Sequence, residues 1–384
     1  MKFTMNLKEF NTMAAKVLTV IPKTSLISLE YVKLELENGI LKMSGTDISQ
    51  FLTVKNDDVY GDIEDGIAYI HMDDLKMVSK LNGNEIEIKT FEDDPENNKL
   101  LIQVRCEKKI IKMPGLCDNE VKYLQENDSY KKSFEVSSLW FYETITKLKE
   151  FTYENETRGV FYNILFSAKE QCAKGINTFM IGIREYRDNV KVYDDRDILL
   201  SRFYVPTLKK LVGSKTDETI EIMVGENGHI LIKNSHFSLF LNEKWDEMPK
   251  TDRFFDIETP ISFELKVNPT KDILKFDMAI RNDKKTNNPI ILKKSNGKLN
   301  AIYISKSVVM DELETKDLVM DDDLVIGLDM NFLNTILSTA NTETISCVAK
   351  NAVSPLIFTS DDYKMLLLPV KVNSELMMNT VNKI

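Results

Sequence analysis

The feature that most constrains this chain is that it opens three times in the same way. Phe3-Thr-Met-Asn-Leu7, Phe134-Glu-Val-Ser-Ser-Leu139 and Phe263-Glu-Leu-Lys-Val267 each lead a short strand into an amphipathic helix, with the phenylalanines 131 and then 129 residues apart. A second strand-to-helix passage follows in each copy, at Tyr69–Leu75, Phe203–Leu208 and Ile326–Met330. Next come an alternating strand, at Glu85–Ile88, Glu218–Ile222 and Glu343–Cys347, and its hairpin partner, at Leu100–Val104, Ile230–Lys233 and Pro355–Phe358. Last strands at Ile110–Met113, Phe237–Leu241 and Met365–Val372 close the copies. Each copy is therefore expected to hold two helices and about eight strands, far more than the roughly 20–50 residues of a stacked solenoid repeat can contain.

Copies of this size are whole domains, and strands outnumber helices, so the fold class is α+β with two helices packed on antiparallel sheets in each domain. Polar stretches around 124–133 and 248–257 place the domains at 1–127, 128–252 and 253–372, with 373–384 as a tail that has no counterpart in the other copies.

Composition narrows the function classes. Apolar residues make up 43% and charged residues 29%, too apolar for a disordered chain. No run approaches a membrane span, and the N-terminal MKFTMNLKEF lacks a signal-peptide core, so a cytoplasmic protein is expected. Cys106, Cys117, Cys172 and Cys347 form no CxxC pair, and with three histidines in the chain a zinc site is hard to assemble, so no metal or cofactor is expected. The cysteines read as reduced packing residues.

The net charge of -10 argues against coating nucleic acid with the whole surface, but it permits a local basic lining. In the first helix Leu7, Phe10, Ala14 and Val17 form the inward stripe, leaving Lys8, Thr12, Lys16 and Thr19 outward. Four further helices carry Lys76 and Lys80, Lys147 and Lys149, Lys209 and Lys210, and Lys271, Lys275 and Arg281, while the last, Asp329–Ala340, carries none. The six helices together hold more Lys and Arg than Asp and Glu, so the acidic excess lies elsewhere.

These features resemble the beta subunit of bacterial DNA polymerase III, the sliding clamp. The resemblance rests on the three-unit layout, the opening MKFT, the passage Leu36-Glu-Asn-Gly-Ile-Leu-Lys-Met-Ser-Gly-Thr-Asp47, and the ending Ser354-Pro-Leu-Ile357 with Leu368-Pro-Val-Lys371. It implies a head-to-tail homodimer forming a ring of six domains around duplex DNA, with the lysine-bearing helices facing phosphates without reading base edges. It also implies rim contacts at Lys23 and Asn155, and no catalysis by the clamp itself. Partners would be double-stranded DNA, a polymerase and a clamp loader, the proteins docking through short motifs, in the cytoplasm with the nucleoid. By residue matching the peptide pocket would comprise Arg158, Phe161, Thr178, Met180, Ile181, Pro249, Arg253, Phe254, Asp329, Phe332, Val353, Pro355, Leu368, Pro369 and Val370.

Two departures from the family pattern point to a divergent or accessory clamp. Ile176-Asn-Thr-Phe-Met180 stands where the family has a TDGHR stretch, and the chain continues past the last strand to Ile384. The competing reading is a clamp-like, non-enzymatic interaction protein that binds partner peptides without encircling DNA. A hydrolase is the weakest alternative, because Asp194-Asp195 and Asp321-Asp-Asp323 lie in polar connectors without a phosphate loop, and His229 and His236 have no third ligand spaced to join them.

Overall fold

In the computed structural model the described residues are 1–24, 26–94, 99–118, 130–213, 217–225, 228–242, 247–279, 289–304, 308–322 and 324–372. The expected tail at 373–384, Arg281 and Asp323 lie outside them.

The chain runs three times through one order of elements: strand, helix, five strands, helix, three strands. The first copy comprises β1 (Lys2–Asn6), α1 (Leu7–Val17), β2 (Tyr31–Glu37), β3 (Ile40–Thr46), β4 (Gln50–Asn56), β5 (Val59–Glu64), β6 (Gly66–His71), α2 (Met72–Val78), β7 (Glu85–Asp94), β8 (Lys99–Cys106) and β9 (Lys109–Leu116). The second comprises β10 (Lys131–Ser137), α3 (Ser138–Leu148), β11 (Asn163–Ser167), β12 (Cys172–Ile176), β13 (Met180–Glu185), β14 (Val190–Val192), β15 (Ile198–Ser201), α4 (Val205–Val212), β16 (Thr219–Val224), β17 (Ile230–Lys233) and β18 (Phe237–Leu241). The third comprises β19 (Ile261–Lys266), α5 (Val267–Ala279), β20 (Ile290–Ser295), β21 (Lys298–Ile304), β22 (Val308–Glu312), β23 (Thr315–Val319), β24 (Val325–Leu328), α6 (Met330–Thr339), β25 (Thr344–Ala349), β26 (Leu356–Ser360) and β27 (Tyr363–Leu367).

Local chemistry explains the helix starts. Asn6 accepts a hydrogen bond from the Lys8 amide at 2.9 Å and caps α1, and Asp329 accepts from the Asn331 and Phe332 amides at 2.8 and 3.2 Å and caps α6. In α1 the buried stripe is Leu7, Phe10, Ala14 and Val17, as the spacing requires, with Met13 added. The strands alternate as half-buried strands do; in β2, Val32, Leu34 and Leu36 point inward.

Two details differ from the sequence expectation. Among the described residues each copy holds nine strands, not eight, because β5, β14 and β23 add antiparallel to the first strand of their own copy. Their sequences, VYGDIE, VKV and TKDLV, carry too little apolar alternation to declare a strand. The last strand also stops at Leu367 instead of reaching Val372, since Pro369 lacks the amide a ladder needs.

Every copy contributes a five-strand group, ordered β5-β1-β7-β8-β9 in the first, and a four-strand group, β4-β3-β2-β6. These groups join across copies. β18 pairs with β4 from Phe237 opposite Val54 to Leu241 opposite Gln50, and β27 pairs with β13 from Leu367 opposite Met180 to Tyr363 opposite Arg184. The result is a 14-stranded, a 9-stranded and a 4-stranded sheet. Contacts cluster the chain into two compact units, 1–143 with 189–196 and 203–245, and 144–188 with 197–202 and 246–384. The middle copy thus lends one strand group to each unit.

Within the second unit a buried ion pair secures the β13–β27 ladder. Arg184 Nε donates to Asp362 Oδ2 at 2.6 Å, with side chains only 6% and 7% exposed, and another guanidinium nitrogen donates to Thr144 Oγ1 at 2.9 Å. The cysteines are free; Cys106, Cys172 and Cys347 are buried, and burial pushes the Cys172 thiol up to about 12.

Candidate functional site

The hairpin joining β12 to β13 turns at Asn177. Its side-chain oxygen accepts the amides of Phe179 and Met180, both at 2.8 Å, an Asx turn that throws the Phe179 ring outward until it is 45% exposed. That ring stacks on Phe332, with centroids 5.3 Å apart and planes 25° apart. Phe332 sits in the first turn of α6, where the Asp329 cap fixes the backbone. The Phe179 carbonyl accepts the Leu368 amide at 2.9 Å, so Leu368 lies beside the aromatic pair. Two residues on, the Val370 amide donates to the Gly327 carbonyl at 2.9 Å. A methyl group on Gly327 would meet Val372 Cγ2 at 2.5 Å and the Val370 carbonyl at 2.7 Å, so glycine is what lets this segment lie against β24.

Near this rim is an apolar floor. Ile176, Ile181 and Leu366 are buried together, with Phe161, Ile183, Met248 and Phe255 packed against them. Arg158 lies over the Tyr153 ring, which meets Phe161 edge-on, and Arg253 lies over Phe254. Pro249 and Thr178 are exposed, and Pro355 and Pro369 are half-buried. Val353, 84% exposed, stands in the turn before β26, held by an Asn351 side chain that accepts its amide at 3.0 Å. Of the residues assigned by matching, Phe161 and Ile181 thus form floor, and Phe332 and Leu368 form rim. Met180 does neither. Register places it opposite Leu367, on the face away from Ile181, and it is 2% exposed in the core. Sequence reasoning missed Phe179, whose only signal is a large aromatic at a turn position where a polar residue is usual.

The fold supplies its own control. At the β4–β18 junction of the first unit, Asp47 accepts the Ser49 and Gln50 amides at 3.0 and 2.9 Å, and the Ser49 carbonyl accepts the Asn242 amide at 2.9 Å. This repeats the frame of the second junction with different side chains. Ser49 stands in the place of Phe179, Asn242 in that of Leu368, and Thr207, third residue of α4, in that of Phe332. The frame therefore tolerates polar groups at all three places. Exposed apolar side chains occur at both junctions, Ile48 and Phe203 in the first unit, 54% and 50% exposed, and Phe179 and Leu368 in the second; what sets the second apart is the stacked Phe179–Phe332 pair.

The helix lysines fall into two groups. Lys8, Lys23, Lys80 and Lys275 are exposed, and Lys271 is half-buried; Lys275 pairs with Asp272 at 2.9 Å and Lys76 with Asp73 at 3.2 Å. Others hold helix ends. Lys147 Nζ donates to the Thr339 carbonyl at 2.8 Å and to Asn341 Oδ1, closing the C-terminus of α6, while Lys210 Nζ donates to the Ala15 carbonyl at 3.4 Å near the end of α1. Lys209 lies over Tyr142 at 5.4 Å, and Lys149 is 4.0 Å from Glu150. Burial pushes the Lys16 ammonium pKa down, and Glu218 and Glu9 oppose that shift. Asn155 is exposed, its side chain accepting the Thr157 amide at 3.0 Å.

Among the described residues no cluster of three or more His, Cys, Asp or Glu could hold a metal ion. Asp194 pairs with Arg196 at 2.7 Å, Asp322 with Lys294 at 3.3 Å, and His236 lies 3.9 Å from Glu218. No described helix is long and apolar enough to cross a membrane.

Three tandem copies of two helices and nine strands, joined by strand pairing between copies, define the sliding-clamp fold, and solved structures carry it. The beta subunit of the DNA polymerase of Streptococcus pyogenes superposes with a TM-score of 0.85 at 15% identity, and the DNA polymerase sliding clamp of Bacillus subtilis with 0.84 at 15%. The DNA polymerase III subunit beta of Pseudomonas aeruginosa gives 0.83 at 16%; each match covers 97% of this chain and 100% of the other. No protein-family model matches the sequence, and no curated protein does. At these identities the likeness establishes the fold.

Proposed function

We propose that this chain is a DNA sliding clamp, three domains at 1–127, 128–252 and 253–372 that close with a second copy into a ring around duplex DNA. The supporting observation is an unfinished pattern of strand pairing. The ninth strand of one copy pairs with the fourth strand of the preceding copy twice, β18 with β4 and β27 with β13. A third such pair would need β22, which among the described residues has only β21 beside it, and β9, which meets β6 there at the single pair Tyr69–Leu116. Both edges carry exposed apolar side chains, Ile110 on β9 and Val308 and Met310 on β22. Their charges are opposite, with Lys109 and Lys112 on one and Asp311 and Glu312 on the other. An unpaired edge is a template for another chain, and the same head-to-tail contact made twice closes a ring.

In such a ring the helix lysines meet phosphates through loose, sequence-blind contacts, and the acidic excess outside the helices, in a chain of net charge -10, disfavours side-on binding. Retention on DNA is then topological. Lys8, Lys23, Lys80 and Lys275 are the side chains best placed to reach phosphate, with Lys76, Lys149, Lys209, Lys271 and Asn155 beside them. Lys147 and Lys210 act chiefly at helix ends, and Lys16 is partly withdrawn. The Phe179–Phe332–Leu368 surface docks short apolar-anchored motifs of a polymerase and a clamp loader in the cytoplasm. Sedimentation equilibrium at micromolar concentration tests the assembly: the expected mass is twice 44.2 kDa, and a species of 44.2 kDa at tens of micromolar would favour an interaction protein that never encircles DNA.

A further inference from the structure

We infer that Lys174 is a positioning residue for peptide docking: its buried ammonium straps the connector 248–255 to β12 and so fixes the wall that carries Pro249, Arg253 and Phe254. The role rests on the docking reading of the Phe179–Phe332–Leu368 surface, although the strap itself does not.

Strand pairing sets out one face of the sheet. Between β12 and β13, Lys174 stands opposite Ile183 and Ile176 opposite Ile181; between β13 and β27, Ile181 stands opposite Leu366 and Ile183 opposite Lys364. Residues opposite each other in an antiparallel ladder share a face, so these six side chains line one surface. The connector lies over it. Met248 and Phe255 pack on the cluster of Ile176, Ile181 and Leu366, and the Lys364 ammonium lies 4.9 Å from the centroid of the Phe255 ring.

Lys174, only 1% exposed, reaches the connector with its charge. Its Nζ donates to Thr251 Oγ1 at 3.1 Å and to Glu170 Oε2, and Thr251 is itself buried. The Thr251 carbonyl accepts the Phe254 amide at 3.0 Å and opens the short turn Asp252–Phe254, on which Arg253 and Phe254 are exposed. One residue thus has its hydroxyl tied to the sheet while its carbonyl sets the turn that presents the wall.

The fold does not ask for a lysine at this place. Two residues before the end of the corresponding strands stand Ser44 in the first copy and Ile302 in the third, both buried, opposite Thr53 and Met310 across the matching hairpins. Ile302 belongs to an apolar cluster with Ile291 and Ile304. A dry position that accepts isoleucine is a costly one for an ammonium, because burial strips its hydration. The exposed Glu170 neutralises that charge without requiring it. Reach from the sheet to the connector is what lysine adds and neither serine nor isoleucine supplies.

The test uses the full chain and the variants K174M, T251V and T251S. K174M keeps the straight stem and removes the ammonium, T251V removes the hydroxyl, and T251S keeps it. The probe is a fluorescein-labelled peptide Glu-Leu-Asp-Leu-Phe, read by fluorescence anisotropy; its apolar residues suit Phe179, Phe332 and Leu368, and its acids suit Arg158 and Arg253. Loss of a charge-assisted hydrogen bond that holds the wall should weaken binding about tenfold in K174M and in T251V, while T251S should stay within about twofold of wild type. K174M/T251V should bind within about twofold of either single variant, because the two groups share one contact. Amide exchange at 249–255 should accelerate about tenfold in K174M and T251V with the β13–β27 ladder unchanged, a pattern that general loss of folding would not produce. Unchanged exchange at 249–255 would overturn the strap. Faster exchange with unchanged peptide affinity would overturn the positioning role and leave docking intact. A wild-type chain that binds no peptide up to about 1 mM would instead overturn the docking reading, and the positioning role with it.

Discussion

Removing Asp362 should loosen the β13–β27 ladder by an amount that the structure lets one work out. The pair with Arg184 is almost wholly buried, and Asp362→Ala leaves a guanidinium in a dry site, with the Thr144 hydroxyl and the face of Tyr363, 4.8 Å away, among its remaining contacts. Breaking one side of such a pair costs about 3–5 kcal/mol. The surviving hydrogen bond and ring contact place this case near the lower end, at about 3 kcal/mol, which is roughly a hundredfold in an equilibrium constant. Backbone amide exchange followed by mass spectrometry on peptides covering 180–185 and 363–367 reads this directly, and exchange should accelerate about a hundredfold if these strands open as a unit. The double variant Arg184→Met with Asp362→Leu should bring the rate back to within about tenfold of wild type, since an apolar pair of similar volume removes the buried charge. Acceleration of less than about fivefold in Asp362→Ala would refute the reasoning, because about 1 kcal/mol is what a solvated surface pair contributes.

The Glu135 carboxyl is held below the usual range by hydrogen bonds from Lys191, Lys132 and Tyr193, so the folded state binds its proton less readily than the unfolded state does. That contribution is full above the unfolded carboxylate pKa and fades as pH falls through the folded value; Glu135→Gln should therefore lower the urea midpoint at pH 7 and by progressively less as the pH falls below the usual carboxylate range, and a gap independent of pH would contradict it. Met310→Glu on β22 and Ile110→Glu on β9 place a charge on edges with 48% and 53% exposed side chains, and each should weaken self-association by about 10–100-fold while leaving circular dichroism unchanged. Sedimentation at twice the chain mass for both variants would show that these edges are not the contact.

Much of this organisation could be read from residues alone because it is written in periodicity. The stripe Leu7, Phe10, Ala14 and Val17 fixes α1, and Asp329 announces the start of α6 through the capping rule. What escaped is what depends on register and distance. Met180 and Ile181 look interchangeable in sequence, yet the β13–β27 pairing sends their side chains to opposite faces of the sheet, Ile181 joining the cluster with Ile176 and Leu366. Phe179 gains its place only when the Asn177 turn aims it at Phe332, a residue from another copy. Lys147 and Lys210 look like ordinary surface lysines until the carbonyls of α6 and α1 come within reach. The short strands β5, β14 and β23 escaped because an edge strand needs little apolar alternation.

If the proposed ring holds DNA by enclosing it, the topology of the DNA decides whether it stays bound. With a matched loader, protein placed on a nicked circular plasmid should stay bound through gel filtration in about 0.5 M salt, where phosphate contacts are largely screened. Cutting the circle once should release it by sliding off the ends. Equal release from the circle and the cut linear DNA, or retention that disappears with salt alone, would contradict enclosure.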